Sequence, residues 1–155
     1  MEFILLLGTP LAGAALLGLV GNRRWAAEAN SAFSLGTFVA ACALTARVIN
    51  TGNLLVGREQ FFIDPFNVFL VTLTAFVGLT TSLFSRPYMR IEMARGRITA
   101  GRLRLYHSMY QLFMATMLIA LTTNNLGLMW VAMEAATLST VLLVTLYRTP
   151  ASLEA

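Results

Sequence analysis

Apolar residues along this chain fall in runs too long for strands and too unbroken for surface helices. Five such runs, at residues 3–20, 28–49, 65–85, 105–123 and 126–147, are separated by short polar stretches. Each has about the 17–25 residues needed to cross ~30 Å of hydrocarbon at ~1.5 Å per residue. The pattern predicts an all-α, polytopic membrane bundle of five transmembrane helices, forming a single transmembrane region over residues 1–155. Pro10 interrupts the first run, which membranes tolerate. Asp64-Pro65 before the third run is a capping residue followed by Pro at the first helical position. Thr122, Thr123, Asn124 and Asn125 form a polar turn that folds the last two runs into an antiparallel hairpin. Residues 50–63 are expected to be an external loop, with β-like stretches on either side of Gly57-Arg58-Glu59-Gln60 packed on the helix ends. Residues 86–104 are expected to be an Arg-rich cytoplasmic loop.

Composition supports the membrane reading. The chain is 57% hydrophobic and 12% charged, with a mean hydropathy of +0.72, outside the soluble range. All 11 basic residues are Arg. In a soluble chain such a basic balance would point to nucleic acid. Here the arginines flank apolar runs and report topology instead, so no nucleic-acid partner is expected. Arg23 and Arg24, then Arg86, Arg90, Arg95, Arg97, Arg102 and Arg104, then Arg148, share one side; Arg47 and Arg58 lie on the other. The positive-inside rule places the basic side in the cytoplasm, the N-terminus outside and the C-terminus inside; a cell inner membrane is the expected location. The first run has no basic segment before it, because Arg23 and Arg24 follow it, so a retained first helix is expected, not a cleaved signal. The single Cys42 excludes an intrachain disulfide and is expected to be a small packing residue.

Glu134 stands in the middle of the last run, LGLMWVAMEAATLSTVLLVTLY. A carboxylate at mid-bilayer costs roughly 2.5–3.5 kcal/mol on insertion scales, and proteins that keep one usually turn it inward and use it, often for protons. Trp130, Thr137, Leu138 and Val141 share its face, while Ala132, Ala136 and Thr140 form a small-residue strip on another. Small residues four apart let helices approach closely. The run is therefore expected to be central in the bundle, with several packed faces. Glu134 is read as a protonatable relay, against the alternative of a structural carboxyl bonded across helices. No Lys exists in the chain and no Arg lies at a run centre, so Glu134 is expected either to work as a neutral acid or to take its cation from a segment or subunit outside this sequence.

His107, at the cytoplasmic start of the fourth run, is a candidate point of proton intake, against the plainer reading of an interfacial hydrogen-bonding residue. Met109, Met114, Met117, Met129 and Met133 are read as packing residues. The Arg-rich stretch 86–104 is read either as docking a peripheral partner or anionic lipid, or as recording topology alone. No metal-ligand spacing, phosphate-cradling loop or nucleophile–base pair is present. The chain is therefore expected to hold no cofactor and not to be catalytic by itself.

The stretch NNLGLMWVAMEAATL…YRT…SLEA resembles the antiporter-like, proton-translocating membrane subunits. That family includes hydrogenase-4 component F, NADH-quinone oxidoreductase subunit 5 and the related membrane subunits of cation/proton antiporters, and the wording is most similar to component F. Phe62-Ile63-Asp64-Pro65-Phe66 and Tyr88-Met89 also fit. The resemblance covers most of residues 60–155; the runs at 3–20 and 28–49 match only in general character. It implies that Glu134 is a proton-path glutamate paired with a lysine on a later, broken helix. It also implies a subunit of about fourteen helices built on inverted repeats, of which this chain would be an N-terminal portion or a split piece. The implied function is part of a proton-translocating subunit in a redox-driven hydrogenase or NADH-dehydrogenase-like complex, moving protons or small cations. Fe–S or metal centres would then reside in partner subunits. The alternatives are a non-conducting anchor that docks a peripheral partner through residues 86–104, and a small self-assembling ion transporter.

Overall fold

The structure, a computed structural model, describes residues 1–147; Arg148 and positions 149–155 of the resembling stretch lie outside the described residues. Five α-helices and one short hairpin follow in order: α1 (Glu2–Val20), α2 (Ala26–Thr51), β1 (Leu54–Val56), β2 (Phe61–Ile63), α3 (Pro65–Ala94), α4 (Ala100–Thr122) and α5 (Leu126–Val144), with a single 3-10 turn at Thr145–Tyr147. In hydrocarbon an apolar run must satisfy its backbone internally, which makes it a helix.

By length and composition, α1, α2, α3 and α5 can each cross a membrane. The expected fifth crossing, α4, does not qualify on hydropathy. The physical reason is its role in the bundle. It packs against all four other helices, and its polar residues His107, Ser108, Gln111, Thr116 and Thr122 are buried among them. A central helix meets neighbours where an outer one meets lipid, so it can carry polar groups that lower its mean hydropathy.

The expected loop at 86–104 is mostly helical. Helix α3 runs 30 residues, about 45 Å at ~1.5 Å per residue, beyond the ~30 Å of hydrocarbon. Its last turns carry Arg86, Arg90 and Glu92, and Pro87 is accommodated within the helix. The connection itself is short, because Thr99 already caps α4. Glu92 is buried beside it and accepts from Arg97 at 3.2 Å.

At the other end, Asp64 caps α3 in a reciprocal box: it accepts from the Asn67 amide at 2.7 Å while its own amide donates to the Asn67 side chain at 2.9 Å. The antiparallel hairpin pairs Leu54 with Ile63 and Val56 with Phe61. It holds the α4–α5 turn: the Asn124 amide donates to the Gln60 carbonyl at 2.7 Å and the Asn125 side chain to Gln60 Oε1 at 2.9 Å. Asn125 also caps α5, accepting from the Gly127 and Leu128 amides.

The main apolar core lies toward this end and includes Leu6, Leu44, Val48, Ile63, Val71 and Leu118. A smaller one, with Met89, Ile98, Tyr106 and Leu146, closes the basic end. Cys42 is exposed on α2, not packed inside. Met114 is buried, but Met133 is on the outer surface.

Candidate functional site

Three features hold the chemistry of this bundle: a carboxylate on its outer face, a buried amide cluster and a basic groove. Glu134 is the carboxylate. Helix α5 is not central as expected. It packs mainly on α4, and only Ala132, Ala136 and Ser139 are buried. The small-residue strip is thus its contact face, and Glu134 projects from an exposed face together with Trp130, Met133 and Leu138. Among the described residues the Glu134 side chain has no hydrogen bond and no ion pair. Geometry explains the difference: one helix needs only one small-residue face to dock against one neighbour, and the faces that sequence alone left equivalent are then divided by which side α4 occupies.

The amide cluster was not assigned from the sequence. Gln111 of α4 is wholly buried, and its Nε2 lies 3.0 Å from the Asn30 carbonyl, 3.0 Å from Asn30 Oδ1 and 3.1 Å from Ser34 Oγ, both on α2. Further along, the Thr9 and Thr37 hydroxyls meet at 2.9 Å, joining α1 to α2, and Thr45 and Thr72 at 2.6 Å join α2 to α3. Ser108 donates to the Ala14 carbonyl of α1 at 2.8 Å. Such contacts tie membrane helices together. A signal was available: Asn30 and Ser34 are four apart on one run, and His107 and Gln111 are four apart on another, so each pair shares a helix face.

His107 is not at an exposed surface. It is 1% exposed on α4, its edge against the Tyr106 ring, and neither ring nitrogen has a hydrogen-bond partner. It lines a groove of about 600 Å³. The groove gathers Asn22, Arg23 and Arg24 from the α1–α2 turn and Arg86 and Arg90 from α3. Glu28 of α2 receives Arg90 and, at 3.4 Å, Arg86. Arginines that the sequence assigned only to a common side therefore converge on one cavity. No cluster of His, Cys, Asp and Glu suited to a metal ion occurs among the described residues. Glu134 is on α5 and not in the groove lining.

Long apolar helices, an inward-facing polar layer and apolar outer faces define a multi-pass α-helical membrane protein. In sequence the chain is similar to the hydrogenase-4 component F homolog of Methylacidiphilum infernorum (isolate V4), at 42% identity over 146 residues, 94% of this chain. The resemblance to the antiporter-like subunits read from the residues around Glu134 is borne out at this level. The chain spans about 29% of that relative's length. No protein-family model matches the chain.

Proposed function

We propose that this chain forms part of a proton-translocating, antiporter-like membrane subunit of a hydrogenase or NADH-dehydrogenase-like complex, with Glu134 as its intramembrane proton-relay carboxylate. The observation that carries the reading is the position of Glu134: mid-helix, on an outer face of the bundle, with no partner among the described residues. Facing lipid, a carboxylate there would be costly for no return. Covered by a further helix or protein that brings a cation, it becomes a site whose charge depends on its neighbour. Protonation or pairing of Glu134 would then change as charge shifts in that neighbour. His107, under the basic groove, is the candidate point of proton intake on the same reading. Redox chemistry would belong to partner subunits that hold Fe–S or metal centres. The basic end would face the cytoplasm of an inner membrane, and the N-terminus the outside.

The test is Glu134→Gln in the native membrane, read as proton uptake by inverted vesicles during substrate turnover. Uptake should fall at least tenfold while the subunits still co-purify, and Glu134→Asp should restore part of it. Uptake at the unaltered rate in the Gln variant would remove Glu134 from the path. Loss of co-purification with either variant would favour a structural, anchoring role.

A further inference from the structure

The groove at the basic end is more than a record of topology. Four guanidinium groups, from Arg23, Arg24, Arg86 and Arg90, line a single cavity of about 600 Å³, within the range that takes a small ligand. One carboxylate, Glu28, answers two of them. Arg23 and Arg24 have no ion pair or hydrogen bond from their side chains among the described residues. The N-terminus of α2 opens on the same space, with Ala27 in the lining, and adds the positive end of a helix dipole.

A second, independent observation points to a ligand. His107 is 1% exposed and lines the cavity, yet both its ring nitrogens lack a partner. Arg86 Nε, a donor that also lines the cavity, is likewise buried without a partner. Buried polar atoms are nearly always satisfied. A neutral imidazole carries one N–H donor in either tautomer. An oxyanion with several acceptor oxygens would satisfy the guanidinium forks and the imidazole together.

The remaining walls choose among oxyanions. Met89, Met93, Ala94 and Leu103 are apolar, and the cavity lies beside the last turns of α3, a helix longer than ~30 Å of hydrocarbon requires. A phosphate ester joined to glycerol and acyl chains meets both kinds of wall at that depth, whereas a free ion or an acidic peptide meets only one. Basic pockets between transmembrane helices at a cytoplasmic face bind anionic headgroups in this way. We propose that the groove formed by Arg23, Arg24, Arg86, Arg90 and His107 binds the phosphate headgroup of an anionic phospholipid. The proposal does not rest on the relay reading of Glu134, which lies on another helix.

The complete chain, solubilised from its membrane with any proteins that accompany it, would be titrated with phosphatidylglycerol and with phosphatidylcholine and followed by native mass spectrometry. Phosphatidylglycerol should be retained as a one-to-one adduct and phosphatidylcholine lost. Arg23→Ala together with Arg24→Ala should weaken the adduct about thirtyfold, while Arg58→Ala, at the opposite end, should leave it unchanged. Arg23 and Arg24 are exposed in a turn, so their side chains can be removed without opening the core. Equal retention of the two lipids, or full retention by the double variant, would overturn the proposal. Displacement of phosphatidylglycerol by equimolar inorganic phosphate would overturn it in favour of a free-phosphate site. Retention of a polyglutamate peptide with no lipid adduct would overturn it in favour of an acidic protein partner.

Discussion

Gln111 is cut off from bulk water. It sits between helices with 0% exposure, and its amide nitrogen faces three acceptors on α2. Removing it would take away the donor that faces Asn30 Oδ1 and Ser34 Oγ, leaving the Asn30 carbonyl with the Ser34 hydroxyl at 3.0 Å. Gln111→Leu should therefore lower stability by about 1–2 kcal/mol, seen as an earlier midpoint in a denaturing-detergent titration. Gln111→Glu can keep the shape and, as the neutral acid, a single donor, so it should fall between the two. Glu134 is the contrasting case. It has no partner among the described residues to lose, so replacing it should leave the stability of this bundle within about 0.5 kcal/mol, and its effect should appear in function. A large stability loss in Glu134→Gln would show that the carboxyl is structural.

Helix α1 gains its close approach to its neighbours from what it lacks. A Cβ at Gly13 would lie 2.9 Å from the Phe33 ring on α2 and 3.2 Å from Gln111 on α4. Gly8, on the same helix, faces open space, with nothing within 4 Å of the same position. Gly13→Leu should therefore force α1 away from α2 and α4 and cost about 1–3 kcal/mol or more, while Gly8→Leu should be close to neutral. The same denaturing-detergent titration would separate them, and equal effects would mean that α1 does not pack as described. The contrast also corrects a reading made from spacing. Small residues marked a contact face on α5 as well, but Ala132 and Ala136 serve one neighbour, α4. A small-residue strip says that a helix has a close neighbour. How many neighbours it has depends on where the other helices go.

For the whole molecule, the arrangement of charge makes a prediction about the membrane. Asn22 lies at the basic end beside Arg23 and Arg24, and Asn124 at the hairpin end; both are exposed. In a Cys42→Ala background, Asn22→Cys should react with an impermeant thiol reagent from the cytoplasmic side only and Asn124→Cys from the outside only. The reverse pattern would invert the proposed orientation. Cys42 itself is exposed on α2, so without the background substitution it could contribute to labelling if it faces an aqueous path.

The number and type of the helices were legible in the sequence because a membrane leaves an apolar run one way to satisfy its backbone. Asp64 and Pro65 marked a helix start because capping is a local matter of side chains and nearby amides. The fit of residues around Glu134 to the antiporter-like subunits was legible for the same reason: it is carried by consecutive residues. Which way each helix turns was not. Hydrophobic periodicity tells an inside from an outside when the outside is water, but here lipid and core are both apolar, and the pattern falls nearly silent. Tertiary structure therefore decided that α4 and not α5 is central, that Glu134 faces outward, and that His107 is buried in the lining of a groove. It also gathered Arg23 and Arg24 with Arg86 and Arg90, residues more than 60 positions apart in the chain, around one cavity. What a segment must become in hydrocarbon is written in its own residues; what it stands beside is decided by packing alone.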